Sequence, residues 1–124
     1  VKKNNIFAIQ EYLNELGVEV DECMIAATQE AAKSAVKELK SKSAAEFGDG
    51  EYSRGWTYKK TADGYVVYNK PAYRLTHLLE KGHDIVGPDK KKHGRTPARP
   101  HIKPVEESTK KLLEDLVMKE LNNL

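Results

Sequence analysis

Between Asp21 and Lys40 the core-facing positions recur at intervals of three and four, and this pattern constrains the fold more than any other feature of the chain. Met24, Ile25, Thr28, Ala31, Ala32, Ala35, Val36 and Leu39 fall on one side of a helix, while Lys33, Lys37, Glu38 and Lys40 fall on the other. A long helix with an alanine-rich face needs a second layer to cover it, and alanine allows a sheet or another helix to approach closely. The chain has 124 residues, of which 39% are hydrophobic and 32% charged, which suffices for one domain with a modest core. That size leaves no room for a nucleotide-binding sheet beside a separate substrate domain, so large cofactor-dependent enzymes are excluded.

The flanking segments supply candidate partner layers. Ile6, Ile9, Leu13 and Leu16 form the stripe of a short first helix that stops at Gly17. Val18 to Val20 then lead to Asp21, the expected N-cap, with Val20 placed to staple onto Ile25. The helical part is expected to occupy residues 1–42, because Ser41 to Gly50 turns small and polar and ends in the turn signal Gly48-Asp49-Gly50. A β-hairpin is expected over 50–70: Tyr52, Trp56 and Tyr58 share one parity, Tyr65 to Tyr68 is a β-branched and aromatic block, and Asp63-Gly64 lies between. Pro71 closes the second strand. Leu75, Leu78 and Leu79 mark a third helix over 73–82, ending at Gly82, which suits a left-handed cap. Residues 83–103, rich in proline and lysine, are expected to be a long basic loop. Residues 104–124 form a last helix with Pro104 at its first position, Glu106 and Glu107 in its first turn, and Leu112, Leu113, Leu116, Val117 and Leu121 on one stripe.

The expected fold class is therefore α+β. A small antiparallel sheet, the hairpin plus a short third strand near His101-Ile102, is covered by the long N-terminal helix and by a C-terminal helix packed back on it. The expected core is Ile25, Ala32, Val36, Leu39, Trp56, Val67, Leu75, Leu78, Leu113 and Leu116.

Charge is placed unevenly. The formal net charge is +2, yet residues 82–104 hold six Lys/Arg against two Asp, leaving a net −2 for all the rest. The basicity thus belongs to one loop, whose length in a small domain marks it as a functional segment. No apolar run approaches the roughly 20 residues of a membrane span, and no apolar block with a cleavage site follows the N-terminus, so a cytosolic protein is expected.

Signatures of chemistry are scarce. Cys23 is the only cysteine, which excludes an internal disulfide or a multi-cysteine metal site, and a small inert residue in a helical first turn is the simplest reading of it. His77 and Glu80 share a helix face, and His83, His93 and His101 follow without ligand spacing, so neither a metal nor a cofactor is expected. No glycine-rich phosphate loop is present. The aromatic group Tyr52, Trp56, Tyr58, Tyr65, Tyr68 and Tyr73 fits cross-strand core packing better than a base-stacking platform. Lys92-His93-Gly94-Arg95-Thr96-Pro97 departs at both flanks from the Arg-Gly-Arg-Pro minor-groove hook.

The second half of the chain resembles the tail-completion, or head-to-tail joining, proteins of long-tailed bacteriophages and prophages, often described as minor tail components. The resemblance runs over residues 50–108. It rests on Tyr52 to Lys60, on Gly64 to Lys70, on Tyr73-Arg74-Leu75-Thr76-His77-Leu78-Leu79-Glu80-Lys81-Gly82-His83, and on Gly94-Arg95 followed by Arg99-Pro100-His101-Ile102-Lys103-Pro104. Two segments depart from the family pattern. Ser43 to Gly50 replaces a Ser-Pro-x-x-Thr-Gly turn, and Lys90-Lys91-Lys92 makes the loop longer and more charged than its Gly-Gly-Arg version.

The resemblance implies a structural virion protein rather than an enzyme: one subunit of a six-fold ring in the phage neck, between the head-completion protein and the tail tube or its terminator. The protein would pass through the host cytoplasm during assembly. On that reading Lys90, Lys91, Lys92, Arg95, Arg99, His101 and Lys103 on the arm, with His77 and Glu80 at its root, are the expected interface residues. Pro97 and Pro100 stiffen such an arm, which reaches either a neighbouring subunit or the genomic DNA in the lumen. The alternative is a small nucleic-acid-binding module using the basic loop and the aromatic hairpin, with a hydrolase or metal protein built on His77, Glu80 and His83 as a distant third.

Overall fold

Ten short and long elements follow one another in a computed structural model that describes residues 7–17, 22–62 and 64–122. They are β1 (Phe7–Ala8), α1 (Ile9–Glu15), α2 (Glu22–Phe47), α3 (Glu51–Arg54), β2 (Trp56–Thr61), β3 (Gly64–Asn69), α4 (Thr76–Lys81), β4 (Asp84–Val86), β5 (Lys92–Arg95) and α5 (Lys103–Asn122). The fold is α+β. The expected roles of Ile6, Val20, Asp21 and Asp63 lie outside the described residues.

The long helix is α2, and it runs to Phe47 rather than ending near residue 42. Ser41 to Phe47 is locally polar, but Ala44, Ala45 and Glu46 are good helix formers, and Ser43 faces inward, where its hydroxyl accepts the Trp56 indole N–H at 2.8 Å. The helix closes at Gly48, whose φ of +88° and N–H bond to the Ala44 carbonyl at 2.9 Å form a left-handed cap. Met24, Ala27, Ala31, Ala32, Ala35 and Leu39 are all buried along it. These small residues let α2 contact β2 and β3 as well as α5.

The hairpin is real but starts later than expected. Glu51–Arg54 forms a single helical turn, so Tyr52 is helical, and β2 begins only at Trp56. β2 pairs antiparallel with β3 in the register Trp56↔Asn69 to Thr61↔Gly64. The third strand of this sheet is β1, not His101-Ile102: Phe7 and Ala8 pair with Val67 and Val66, giving the order β1-β3-β2.

Trp56, Val67, Ile9, Leu13, Leu39, Val105 and Leu113 are all at or below 2% exposed and form the centre of the core. Each such side chain contributes about 1.5–3 kcal/mol through burial. Ile25, Val36, Leu78 and Leu116 are only half-buried, and Leu75 is 52% exposed, because it precedes the first turn of α4 instead of lying inside a longer helix. The last helix starts at Lys103, so Pro104 is its second residue, still within the turn whose N–H groups lack intrahelical partners. It packs along α2 and α1 rather than back on the sheet, burying Val105, Thr109, Leu113 and Val117.

Residues 83–103 are not one continuous loop. β4 and β5 pair as a separate two-stranded antiparallel ribbon, Asp84↔Arg95 and Val86↔Lys92, with a bulge that sets Ile85 opposite His93 and Gly94.

Candidate functional site

The ribbon is turned by Gly87-Pro88-Asp89-Lys90. Proline fixes its own φ for the turn, the Lys90 N–H bonds the Gly87 carbonyl at 2.9 Å, and Lys90 takes a left-handed φ of +62°. The pairing is completed by Gly87 N–H to the Lys91 carbonyl at 3.2 Å.

Charge then fixes the strands to one another. Asp84 accepts from Arg95 at 2.9 Å and lies 3.4 Å from the Lys92 ammonium, while Asp89 meets His93 at 2.8 Å and accepts the Lys91 N–H at 3.0 Å. Arg95, and the charge of Lys92, hold the Asp84 carboxyl below its ordinary value of 3.8, and His93 with the Lys91 backbone does the same for Asp89. A carboxyl whose folded pKa is depressed stabilises the structure above its unfolded pKa, and that stabilisation is lost as pH falls through the folded value. The ribbon is therefore expected to be closed at neutral pH and to open progressively below about pH 4. Amide exchange at Gly87 and Lys91, followed by NMR, measures this directly. Protection that persists to about pH 2 would show that these ion pairs do not hold the turn.

All seven residues of the two strands are exposed, including the apolar Ile85 (45%) and Val86 (62%). Hydrogen bonds tie the ribbon to the body at its base. There the Thr96 N–H donates to the His83 carbonyl at 2.8 Å, the His83 N–H donates to the Thr96 hydroxyl at 2.9 Å, and Arg95 donates to the Lys81 carbonyl at 3.2 Å. Gly82 makes this approach possible. Its φ of +75° and ψ of 172° are accessible essentially to glycine alone, and a Cβ there would stand 2.4 Å from the Thr96 carbonyl oxygen.

Below the base, α4 is locked to the start of α5. The Glu80 carboxylate accepts three successive backbone N–H groups, from His101 at 2.7 Å, Ile102 at 2.8 Å and Lys103 at 2.9 Å. These donors open α5, so Glu80 caps a helix to which it does not belong, and its charge lies at the positive end of that helix dipole. His101 is 1% exposed. Its Nδ1 is 2.8 Å from the Arg99 carbonyl and 3.1 Å from Glu80 Oε1, so Nδ1 carries the proton and Nε2 accepts from the Tyr52 hydroxyl at 2.5 Å. Burial, and after it the Glu80 charge, raises the Tyr52 pKa well above the ordinary range, which keeps the phenol protonated as donor. Phe47, Tyr52 and Trp56 pack edge-on around the His101 ring.

The expected interface residues thus divide. Lys90, Lys91, Lys92 and Arg95 sit on the ribbon, though Lys92 and Arg95 are engaged with Asp84. Arg99 lies back on the body, its guanidinium over the Phe47 ring and its N–H bonded to the Leu79 carbonyl. His101 is a core residue, and the Glu80 carboxylate is bonded to the start of α5. His77 and Lys103 line an open groove of about 1060 Å³ between α4 and the first turns of α5. His77, Glu80 and His83 do not converge, and among the described residues no three His, Cys, Asp or Glu side chains are grouped to hold a metal.

Trp56 lies within the core and Tyr52, Tyr58 and Tyr65 pack against it, while Tyr68 is half-buried with the Lys59 ammonium 4.9 Å from its ring centroid. Sequence reasoning missed the ribbon turn, which Gly87-Pro88-Asp89 beside the β-branched Ile85-Val86 does signal. It also missed Phe47 as part of the cluster around His101.

Among the described residues no helix is long and apolar enough to cross a membrane. No curated protein and no solved structure matches the chain. The model of one family, described as "Bacteriophage HK97-gp10, putative tail-component", matches residues 7–82, more than half of the chain. That span takes in the sheet, the long helix and α4 with Glu80, and the chain belongs to this HK97 gp10-like family of phage tail components.

Proposed function

We propose that the protein is a structural subunit of a ring at the phage neck, joining the DNA-filled head to the tail, and that the β4–β5 ribbon is the arm that holds it there. The observation that carries this reading is the ribbon itself. A two-stranded ribbon alone in water is marginally stable at best, yet this one is preformed by a proline turn and ion pairs and leaves Ile85 and Val86 uncovered. Such an element reduces the entropy lost on docking and offers apolar surface to a protein neighbour. In a homo-oligomer, an arm that reaches a different patch on the next copy closes a cyclic ring, here of six subunits. The head-completion protein and the tail tube or terminator would flank it, the protein would reside in the virion, and no catalysis is involved.

Pairing within the ribbon favours a protein neighbour over DNA in the lumen. Among the described residues Lys90 and Lys91 make no ion pair, whereas Lys92 and Arg95 are held by Asp84, which leaves few cations for phosphates.

Deleting the gene from its phage or prophage and inspecting the lysate by electron microscopy tests the reading. Filled heads beside separate, complete tails are expected. Normal tailed particles would overturn it.

A further inference from the structure

Charge is segregated most sharply near the start of the chain. From Asn4 to Ala32 there are six Asp/Glu and no Lys or Arg, whereas on α5 and the second half of α2 lysines are interleaved with the acids. Within this stretch Glu11, Glu15, Glu22 and Glu30 are exposed, and none of them is in an ion pair among the described residues. Glu11 and Glu15 are one turn apart on the same face of α1, and Leu16 beside them is 42% exposed. A cation, Lys110 of α5, does lie against this helix, 4.9 Å over the Tyr12 ring, but it stands 3.8 Å from Glu106. The local field is negative all the same: burial, and after it the charges of Glu106, Glu15 and Glu11, push the Tyr12 phenol well above its ordinary range.

The ribbon has the opposite character. Its tip carries Lys90 and Lys91, exposed and without an ion pair among the described residues, next to Val86, which is 62% exposed. At about 3.3 Å per residue the tip stands about 15 Å beyond the base at His83, and β4 and β5 make no substantial contact with α1 of their own chain. Unpaired cations and unpaired anions on elements that do not meet within one molecule are complementary between two. We infer that the ribbon tip of one copy docks on the outer face of α1 of the next copy, with Lys90 and Lys91 against Glu11 and Glu15 and Val86 against Leu16. Donor and acceptor patches differ, so the interface is heterologous, the kind that closes a ring. This inference rests on the ring reading above and names the surface that receives the arm.

Charge exchange in the full-length protein, supplied to a phage or prophage lacking its own copy, provides the test. K90E/K91E and E11K/E15K alter exposed side chains, and each is expected to reduce head–tail joining by about tenfold or more through like-charge contact, while the two together restore most of it. If reversal on α1 lowers the melting temperature, E11Q/E15Q replaces it, with a loss of about threefold expected from the missing attraction. As a second readout independent of charge, Leu16→Cys and Val86→Cys in one Cys23→Ser chain should give a disulfide-linked ladder of copies in purified particles, absent from either single variant. Gene deletion that separates heads from tails, combined with charge variants that all join normally or fail to rescue one another, or with no ladder, overturns the inference and leaves the ring reading standing. Joined particles in the deletion overturn both.

Discussion

Replacing Glu80 by alanine is expected to lower stability by about 3 kcal/mol, or roughly 10 °C in melting temperature for a chain of this size. One carboxylate satisfies the N–H groups of His101, Ile102 and Lys103 together, and its side chain is only 13% exposed, so water replaces it poorly. The loss is greater than that of an ordinary cap because the same oxygen lies 3.1 Å from Nδ1 of buried His101. The damage should spread to the aromatic cluster, since Tyr52 orients the other side of that imidazole. Glu80→Gln retains a carbonyl acceptor in the same place and should lose about half as much. Thermal unfolding followed by circular dichroism measures both. An E80A variant melting within about 2 °C of the parent would show that the cap adds nothing to stability.

That network marks the limit of what the sequence discloses. Periodicity exposes α2 and α5 because their buried faces repeat over many turns, and the β2–β3 strands because Tyr65 to Tyr68 is β-branched and aromatic in a compact block. Glu80 and His101 are 21 positions apart, and Tyr52 and His101 are 49 apart, so no local pattern records their meeting. A polar residue in a proline-rich segment reads as solvated unless its partners are known. The third strand escaped for a different reason, since two residues are too few to show alternation. Leu75 fits the apolar stripe of the following helix, but the helix begins after it and leaves it exposed.

The ribbon escaped because it lacks the feature by which strands are recognised. Alternation reflects one dry face and one wet face, and β4 and β5 have both faces in water. A segment whose conformation is fixed by a turn and ion pairs rather than by burial carries its signal in the turn residues alone. This also explains why a long basic segment reads as a loop in the sequence.

Excising the arm separates its role in folding from its role in assembly. His83 and Thr96 already face each other, the Thr96 N–H bonded to the His83 carbonyl and the His83 N–H to the Thr96 hydroxyl, so Asp84 to Arg95 can be replaced by an Asn-Gly turn without straining the base. Because the strands contribute nothing to the core, the shortened protein is expected to melt within about 2 °C of the parent, with Glu80 still capping α5. Head–tail joining should nevertheless fall to the level of the gene deletion. The logic depends on both readouts together. A body that unfolds on excision would make the ribbon a structural element despite its exposure, and a stable body that still joins heads to tails would remove the ribbon from assembly.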